Sequence, residues 1–225
     1  MVFLRPDLDD FLIEKNCVGF FNPPITLKSG RKGYYYINIR DAIATVEGLE
    51  KISGYVYQHA INKGLKPDYF LGIPDGATQI GAEATKMIDY IPKEKLLNTT
   101  LRNKPKDHGD PKDKYSVGNL PRGSHAVIVE DVSTTGISGE PYILNLQEGG
   151  VIIDRFISVT SRLERRDDGR TVEEAYMDKY GIPVSSLTDI STLLPMAVKK
   201  NPPSKETLEN SENYAKQYCS CPLKF

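Results

Sequence analysis

The residues best suited to chemistry lie at 126–138, in the run AVIVEDVSTTGIS. An apolar stretch there ends in two adjacent carboxylates, Glu130 and Asp131, and then passes through hydroxyl residues to Gly136. Carboxylates accept hydrogen bonds from vicinal hydroxyls such as those of ribose, and free backbone N–H groups before a helix can surround a phosphate. Glycine lets the backbone approach a ligand closely. This run therefore predicts a site for a phosphorylated ribose.

Two other interpretations of the run were weighed. Paired acidic residues after a strand also serve as magnesium ligands in nucleotide hydrolases, or as ordinary turn residues. The hydrolases additionally carry a G-x-x-x-x-G-K-[ST] loop for the phosphates, and the sequence has no such loop. That route to phosphate binding is excluded.

Three further segments carry basic, acidic and aromatic side chains that could bind a ligand. They are LKSGRKGYYYIN at 27–38, RNKPKDHG at 102–109 and SRLERRDDG at 161–169. Each has a plainer interpretation when taken alone: a basic turn before an edge strand, a solvated charged loop and a surface arginine cluster. An arginine fork can also bind a carboxylate through two parallel charge-assisted hydrogen bonds, which a lysine cannot reproduce.

The elements that must position these segments follow from hydrophobic spacing. The pattern predicts helices at 7–15, capped by Asp7, and at 45–63, capped by Thr45 and ended by Gly64. Short apolar runs predict three strands, at Tyr69–Ile73, Ala126–Val129 and Ile152–Val159. Stretches of helical character follow the first two strands, at Gly76–Tyr90 and Gly136–Gln147. Strands joined by helical crossovers run parallel, so we expect an α/β fold with an open parallel sheet flanked by helices and ligands at the carboxyl ends of the strands.

Two segments fall outside this alternation. The stretch 101–119 is polar and rich in Lys, Asp, Pro and Gly, which is typical of a long mobile loop. After residue 200 a Pro-Pro pair precedes a helical pattern, so we divide the chain into a main domain at 1–200 and a linker with a terminal helix at 201–225.

Composition narrows the possible partners. The 29 basic and 30 acidic residues nearly cancel, so no global field draws the chain to nucleic acid or to a membrane surface. No apolar run reaches the length of a membrane span and the N-terminus does not resemble a targeting segment, so we expect a cytoplasmic protein. The pair Cys219 and Cys221 could supply half of a metal site, but the plainer interpretation is an ordinary tail.

Taken together, the four polar segments resemble a known family. The run at 126–138 resembles the signature for phosphoribosyl pyrophosphate (PRPP) of the type I phosphoribosyltransferases. The segments at 27–38, 102–109 and 161–169 resemble the N-terminal motif, the flexible catalytic loop and the Arg-x-Glu motif of the orotate-specific enzymes. The resemblance implies that fold, with a small N-terminal hood and a long catalytic loop. It also implies transfer of the 5-phosphoribosyl group from PRPP to orotate, giving orotidine 5'-phosphate and pyrophosphate in pyrimidine synthesis.

The resemblance also implies roles for individual residues. Those expected to act in catalysis are Arg102, Lys106, His108 and Asp131. Those expected to bind orotate are Lys28, Tyr36, Ile37, Thr134 and Arg162, with Tyr36 and Ile37 packing on the pyrimidine ring. Those expected to bind PRPP are Asp75, Gly76, Arg102, Asn103, Lys106, His108, Glu130, Asp131, Val132, Ser133, Thr134, Thr135, Gly136, Ile137 and Ser138. Magnesium (Mg²⁺) is expected as cofactor, held mainly by PRPP and water rather than by direct protein ligands. A homodimer with shared active sites is expected because the family's loop reaches into the partner's site.

Several positions depart from the family pattern. Asp75 and Gly76 stand where a Tyr-Lys pair often contacts pyrophosphate, Asn103 stands where a lysine is common, and Ser161 where an aspartate is. These departures leave two alternatives open. One is a homologue that binds PRPP or a nucleotide as a regulator without efficient turnover, and the other is a purine phosphoribosyltransferase.

Overall fold

The computed structural model describes residues 5–27, 30–106, 108 and 114–225, with side chains from residue 8 onward. Its centre is a four-stranded sheet of β3 (Tyr69–Gly72), β6 (His125–Ser133), β7 (Ile152–Ser161) and β8 (Val184–Asp189). The strands lie in the order β3-β6-β7-β8, and every neighbouring pair is parallel. The expected parallel sheet is therefore confirmed.

Helices cover both faces of this sheet. They are α3 (Val46–Asn62), α4 (Thr78–Lys86), α5 (Glu140–Glu148), α6 (Val172–Tyr180) and α7 (Ile190–Lys200). Successive strand residues point to opposite faces, so Phe70 and Val127 join one apolar core with α3, α4 and α7. Leu71 and Ile128 join a second core with α5 and α6. Because both faces are buried, β3 and the Ala126–Val129 stretch of β6 are apolar throughout.

Most predicted helix boundaries hold to within a few residues. Thr45 caps α3, its side-chain oxygen accepting a hydrogen bond from the Gly48 amide at 3.1 Å, and Gly64 follows the helix with a left-handed φ of 76°. The first helix, α1, spans Arg5–Glu14, so Asp7 lies inside it and is not its N-cap. The helix expected from Gly136 begins only at Glu140, because residues 133–139 form the turn described below.

The N-terminal hood and the C-terminus pack together beside the sheet. Strands β1 (Val18–Thr26) and β2 (Lys32–Ile37) form an antiparallel hairpin, followed by a single turn of helix, α2 (Ile39–Ala42). The last helix, α8 (Lys205–Tyr218), contacts both strands of that hairpin. Its Tyr214 and Ala215 are buried in the same core as hood side chains. The tail therefore supplies part of the core instead of lying only on the surface.

The stretch expected to be a long loop is in part a hairpin. Strands β4 (Thr100–Leu101) and β5 (Ser116–Val117) pair antiparallel after a 3₁₀ turn at Lys93–Lys95. Backbone bonds from Arg102 to Tyr115 and from Lys106 to Lys114 extend the pairing toward the tip. Most of the tip lies outside the described residues. Among the helices that the structure describes, none is long and apolar enough to cross a membrane.

Candidate active site

Three parallel strands end at one edge of the sheet, and the predicted site residues follow them. The turn after β3 brings Gly76 against the carboxylate of Asp131 on β6. A Cβ atom at Gly76 would lie only 2.0 Å from Asp131 Oδ2, so no larger residue fits there without displacement. The end of β7 is tied to β6 by a bond from the Arg162 amide to the Ser133 carbonyl at 2.8 Å. The carboxyl edge therefore gathers the turn after β3 and two of the four segments, 126–138 and 161–169.

The two carboxylates of β6 differ in their surroundings. The strand continues through Ser133, two residues past Asp131, so the neighbouring side chains of Glu130 and Asp131 point in opposite directions. Glu130 is buried, and its Oε1 accepts a hydrogen bond from the Ser138 hydroxyl at 2.8 Å. Asp131 is half-buried beside Gly76. The interpretation that both carboxylates follow the strand was therefore wrong, and only Asp131 stands at the partly open surface.

The turn from Ser133 to Gly139, called here the phosphate turn, closes back onto the end of β6. Gly136 adopts a left-handed φ of 71°, and a Cβ there would meet Val172 at 2.8 Å. Ser133 is buried, Ile137 is exposed, and the remaining side chains expected to bind PRPP are half-buried: Val132, Thr134, Thr135 and Ser138. The tight fit of Gly136 against α6 explains why glycine is required at this position.

The base of the β4–β5 hairpin lies beside the turn after β3. The Asn103 amide donates a hydrogen bond to Asp75 Oδ2 at 3.3 Å, so two of the residues that depart from the family pattern contact each other. Arg102 Nε donates to the Ser116 carbonyl at 3.1 Å. A cavity of about 530 Å³ lies between the hairpin and α5, lined by Arg102 and Asn103 on one side and Ser138 and Tyr142 on the other.

Two of the residues expected to contact PRPP, Lys106 and His108, belong to the hairpin tip, of which residues 107 and 109–113 lie outside the described residues. Lys106 is half-buried and His108 is exposed. Their predicted contact with PRPP therefore stays a prediction.

Arg162, the predicted orotate ligand, lies in a separate buried group. It is 3% exposed, its Nε donates to Glu164 Oε1 at 2.7 Å, and its guanidinium stacks on the Tyr35 ring at 4.5 Å. The expected open fork with two free donors is not present, since one donor already binds Glu164. Nη2 is buried without a hydrogen-bond partner in the part of the chain that the structure describes. Burial alone would lower the pKa of Arg162, but Tyr35 and Glu164 raise it above its ordinary value, so the guanidinium stays charged.

Glu164 is the centre of this buried group, and the sequence interpretation gave it no role. Its side chain is fully buried and accepts hydrogen bonds from three residues: Arg162, Arg31 of the hood at 2.8 Å and the Tyr214 hydroxyl of α8 at 2.9 Å. Arg31 also stacks on the Tyr218 ring at 4.6 Å. The glutamate of the Arg-x-Glu motif was a signal available in the sequence. No signal in the sequence indicated that α8 contributes to this group.

The predicted aromatic contact with orotate is only partly consistent with the structure. Tyr36 and Ile37 are consecutive in β2, so their side chains point to opposite faces: Tyr36 is 44% exposed and Ile37 is 3% exposed in the core. The two cannot pack together on one ring. Lys28, the predicted partner on the turn before β2, lies outside the described residues.

Known proteins resemble this chain in sequence and in fold. No family model matches the chain. It is 33% identical over 160 residues to the orotate phosphoribosyltransferase of Methanocaldococcus jannaschii, covering 71% of this chain and 84% of that protein. The crystal structure of the Francisella tularensis orotate phosphoribosyltransferase superposes with a TM-score of 0.68 at 20% identity, covering 94% of this chain and 98% of the other.

A second solved structure has a bound substrate. The Mycobacterium tuberculosis orotate phosphoribosyltransferase in complex with PRPP superposes with a TM-score of 0.59 at 20% identity, covering 84% of this chain and 98% of the other. At such identities the two superpositions show a shared fold, and the archaeal relative shows the family. The chain belongs to the orotate phosphoribosyltransferase family.

Proposed function

We propose that this protein transfers the 5-phosphoribosyl group of PRPP to orotate, releasing pyrophosphate and forming orotidine 5'-phosphate for pyrimidine synthesis. The observation that carries the proposal is the meeting, at one sheet edge, of the phosphate turn after β6 and a charged, buried arginine after β7. The first suits a sugar phosphate, and the second suits a base that carries a carboxylate.

The charge balance around Glu164 supports an anionic base. One buried carboxylate faces two guanidinium groups, Arg31 and Arg162, and the second carboxylate that pairs with Arg31, that of Asp167, is exposed. The buried group therefore has excess positive charge, and Arg162 Nη2 is a buried donor without a described partner. Buried polar atoms of this kind call for a partner. The orotate carboxylate is our assignment, and because Arg162 is covered by Tyr35 and Tyr214, local rearrangement must accompany its entry.

On the PRPP side, the phosphate turn would bind the 5-phosphate and Asp131 the ribose hydroxyls. Negative charge next to the ribose stabilises the positive charge that develops as the bond to pyrophosphate breaks. Arg102, Lys106 and His108 would approach pyrophosphate from the hairpin and exclude water when it closes. Asp75 and Asn103 hold each other at the base of that hairpin.

Magnesium would be held mostly by substrate oxygens. No cluster of three or more His, Cys, Asp or Glu side chains suited to a metal occurs among the residues described. Mg²⁺ usually keeps several waters and binds through one or two carboxylates together with substrate phosphates, a role that Asp131 and the exposed Asp75 fit. When bound, the ion would neutralise charge developing on pyrophosphate. We also propose a homodimer in which the hairpin tip reaches the partner's site, which is an inference from the family.

The test is a spectrophotometric assay with magnesium, PRPP and orotate, with adenine and hypoxanthine as competing bases. Arg162→Lys keeps the charge but loses the planar fork, so kcat/KM for orotate should fall about 100-fold. Arg165→Lys is the matched control, since the Arg165 side chain is exposed and donates to the Gly169 carbonyl instead of to Glu164.

The alternatives give different results in the same assay. Binding of PRPP with no consumption of any base would indicate a regulatory homologue and end the enzyme proposal. Consumption of adenine or hypoxanthine in place of orotate would indicate a purine enzyme. Orotate turnover that is equal in Arg162→Lys and Arg165→Lys would remove Arg162 from the orotate site.

A further inference from the structure

The phosphate turn is held from outside by two side chains to which the sequence interpretation gave no role. Arg166 Nη1 donates to the Thr135 carbonyl at 2.8 Å. The hydroxyl of Tyr176, on α6, donates to the next carbonyl, that of Gly136. Both donors come from the loop and helix that follow β7, and both bond to the backbone instead of to side chains of the turn.

These two bonds determine where the neighbouring N–H groups point. In a planar trans peptide the carbonyl of one residue and the N–H of the next point in opposite directions. With the Thr135 carbonyl held toward Arg166 and the Gly136 carbonyl toward Tyr176, the N–H groups of Gly136 and Ile137 point away from these two side chains. Two adjacent N–H groups pointing the same way form a concave donor pair suited to an anion.

Arg166 is itself held in place by the carboxylate of Glu140. Its Nη2 pairs with Glu140 Oε1 at 2.7 Å, while Glu140 Oε2 accepts from Lys179 at 2.8 Å and from the Tyr180 hydroxyl at 2.9 Å. Burial alone would raise the pKa of Glu140, but the bonds from Lys179, Arg166 and Tyr180 lower it below its ordinary value. Glu140 is therefore ionised at neutral pH and holds the Arg166 guanidinium in place.

We propose that Arg166 and Tyr176 are positioning residues that hold the phosphate turn in the conformation that binds the 5-phosphate of PRPP. The proposal rests on the proposed function only in taking this turn as the phosphate site. Neither side chain need touch the substrate: each acts through a backbone carbonyl. The snug fit of Gly136 against Val172 and Tyr176 keeps the turn within reach of both donors.

The first test compares Arg166→Gln with Arg165→Gln by calorimetric titration with ribose 5-phosphate and with PRPP. Both variants remove one positive charge from the same loop, but only Arg166 bonds to the turn. Loss of a charge-assisted bond to the turn should raise the Kd of both ligands about tenfold in Arg166→Gln. Arg165→Gln should stay within about twofold of the wild type, as surface charges contribute little.

The second test removes the other bond and keeps the fold. Tyr176→Phe retains the buried ring, and its matched control is Tyr90→Phe, in which a hydroxyl bonded to the Pro67 carbonyl is lost away from the site. The Kd of ribose 5-phosphate should rise about fivefold in Tyr176→Phe only, since a neutral bond is weaker than a charged one. The KM for orotate should not change in any of the four variants, and thermal unfolding shows whether each is folded.

The outcomes separate this inference from the proposed function. Equal ribose 5-phosphate affinity in Arg166→Gln, Tyr176→Phe and their controls would overturn the inference, even if orotate is consumed. Weakened phosphate binding in both variants would support it, even if the wild type consumes no orotate. An equal rise in the KM for orotate and the Kd for ribose 5-phosphate would indicate general loosening of the site and would also overturn it.

Discussion

Two of the arginines after β7, Arg162 and Arg166, each pair with a glutamate in a different setting. Arg162 is buried with the fully buried Glu164, against the hood and α8. Arg166 is partly exposed and pairs with the partly exposed Glu140, against the phosphate turn. Each glutamate faces two cations, Arg31 and Arg162 at Glu164 and Arg166 and Lys179 at Glu140, so the two groups differ in burial and not in charge count. In the second group Arg166 also holds a backbone segment through the Thr135 carbonyl. Under the two proposals above, burial distinguishes the pair that recognises a ligand directly from the pair that supports the phosphate turn.

The largest difference between the two groups should appear in stability. Glu164→Gln leaves the buried Arg162 without its carboxylate, while Arg31 keeps the exposed Asp167, so the free energy of unfolding should fall by about 3–5 kcal/mol. Glu140→Gln, in a partly exposed site, should lower it by only about 1 kcal/mol. Urea unfolding of both variants at neutral pH measures this. Equal losses would mean that the Glu164 group is as solvated as the Glu140 group, contrary to the structure.

A smaller difference is expected in the KM for orotate when the tyrosine that bonds to each glutamate is replaced. Tyr214→Phe removes one of three donors to Glu164 and lets the carboxylate and Arg162 shift, so the KM for orotate should rise about fivefold while the KM for PRPP stays constant. Tyr180→Phe removes a hydroxyl from Glu140 and should leave the KM for orotate unchanged. Steady-state kinetics with each substrate varied in turn checks this. A change in both constants in Tyr214→Phe would place α8 outside orotate binding and in general support.

The smallest expected effect is on the pH dependence of stability, at two histidines that differ in burial in the same way as the two arginine–glutamate pairs. Burial lowers the pKa of His59 to about 4, so the unfolded chain gains a proton first and stability is lost as pH falls from about 6.5 toward 4. A hydrogen bond that the imidazole donates to Asp154 raises the pKa of the exposed His125, so its contribution is present below about pH 6.5 and is lost as pH rises through the raised value.

Urea unfolding from pH 4.5 to 8 measures both slopes. Relative to the wild type, His59→Gln should lose less stability on acidification, and His125→Gln should lack the gain at low pH. Parallel curves for all three proteins would contradict both directions.

Much of the fold was predictable because its signals are local. Apolar runs alternating with helical stretches predicted the parallel sheet, and the caps at Thr45 and Gly64 predicted α3, since both depend on residues close in sequence. The hairpin inside 101–119 was missed because its strands have two residues each and leave no periodic pattern. The strand through Ser133 was cut short at the carboxylates, since polar residues in a strand weaken the apolar signal.

The candidate site was predicted as segments and not as contacts. The sequence predicted a role for Arg162. It did not predict that Tyr214, fifty-two positions later, would bond to the same Glu164 carboxylate, or that Asn103 would bond to Asp75. It also suggested that Tyr36 and Ile37 act as one pair, which the alternation of β2 prevents. Such pairings join residues distant in sequence, and no local rule of spacing reports them.

By itself, the sequence determined the parallel sheet, the phosphate turn after β6 and the presence of an arginine cluster after β7. Each follows from short-range periodicity or from the chemistry of adjacent residues. Only the tertiary structure decided which arginine is buried with a carboxylate and which one holds the phosphate turn. The reason is that the strength of a charged pair depends on distance and on removal from water, and both are set by the packing of α6, α8 and the hood around the loop.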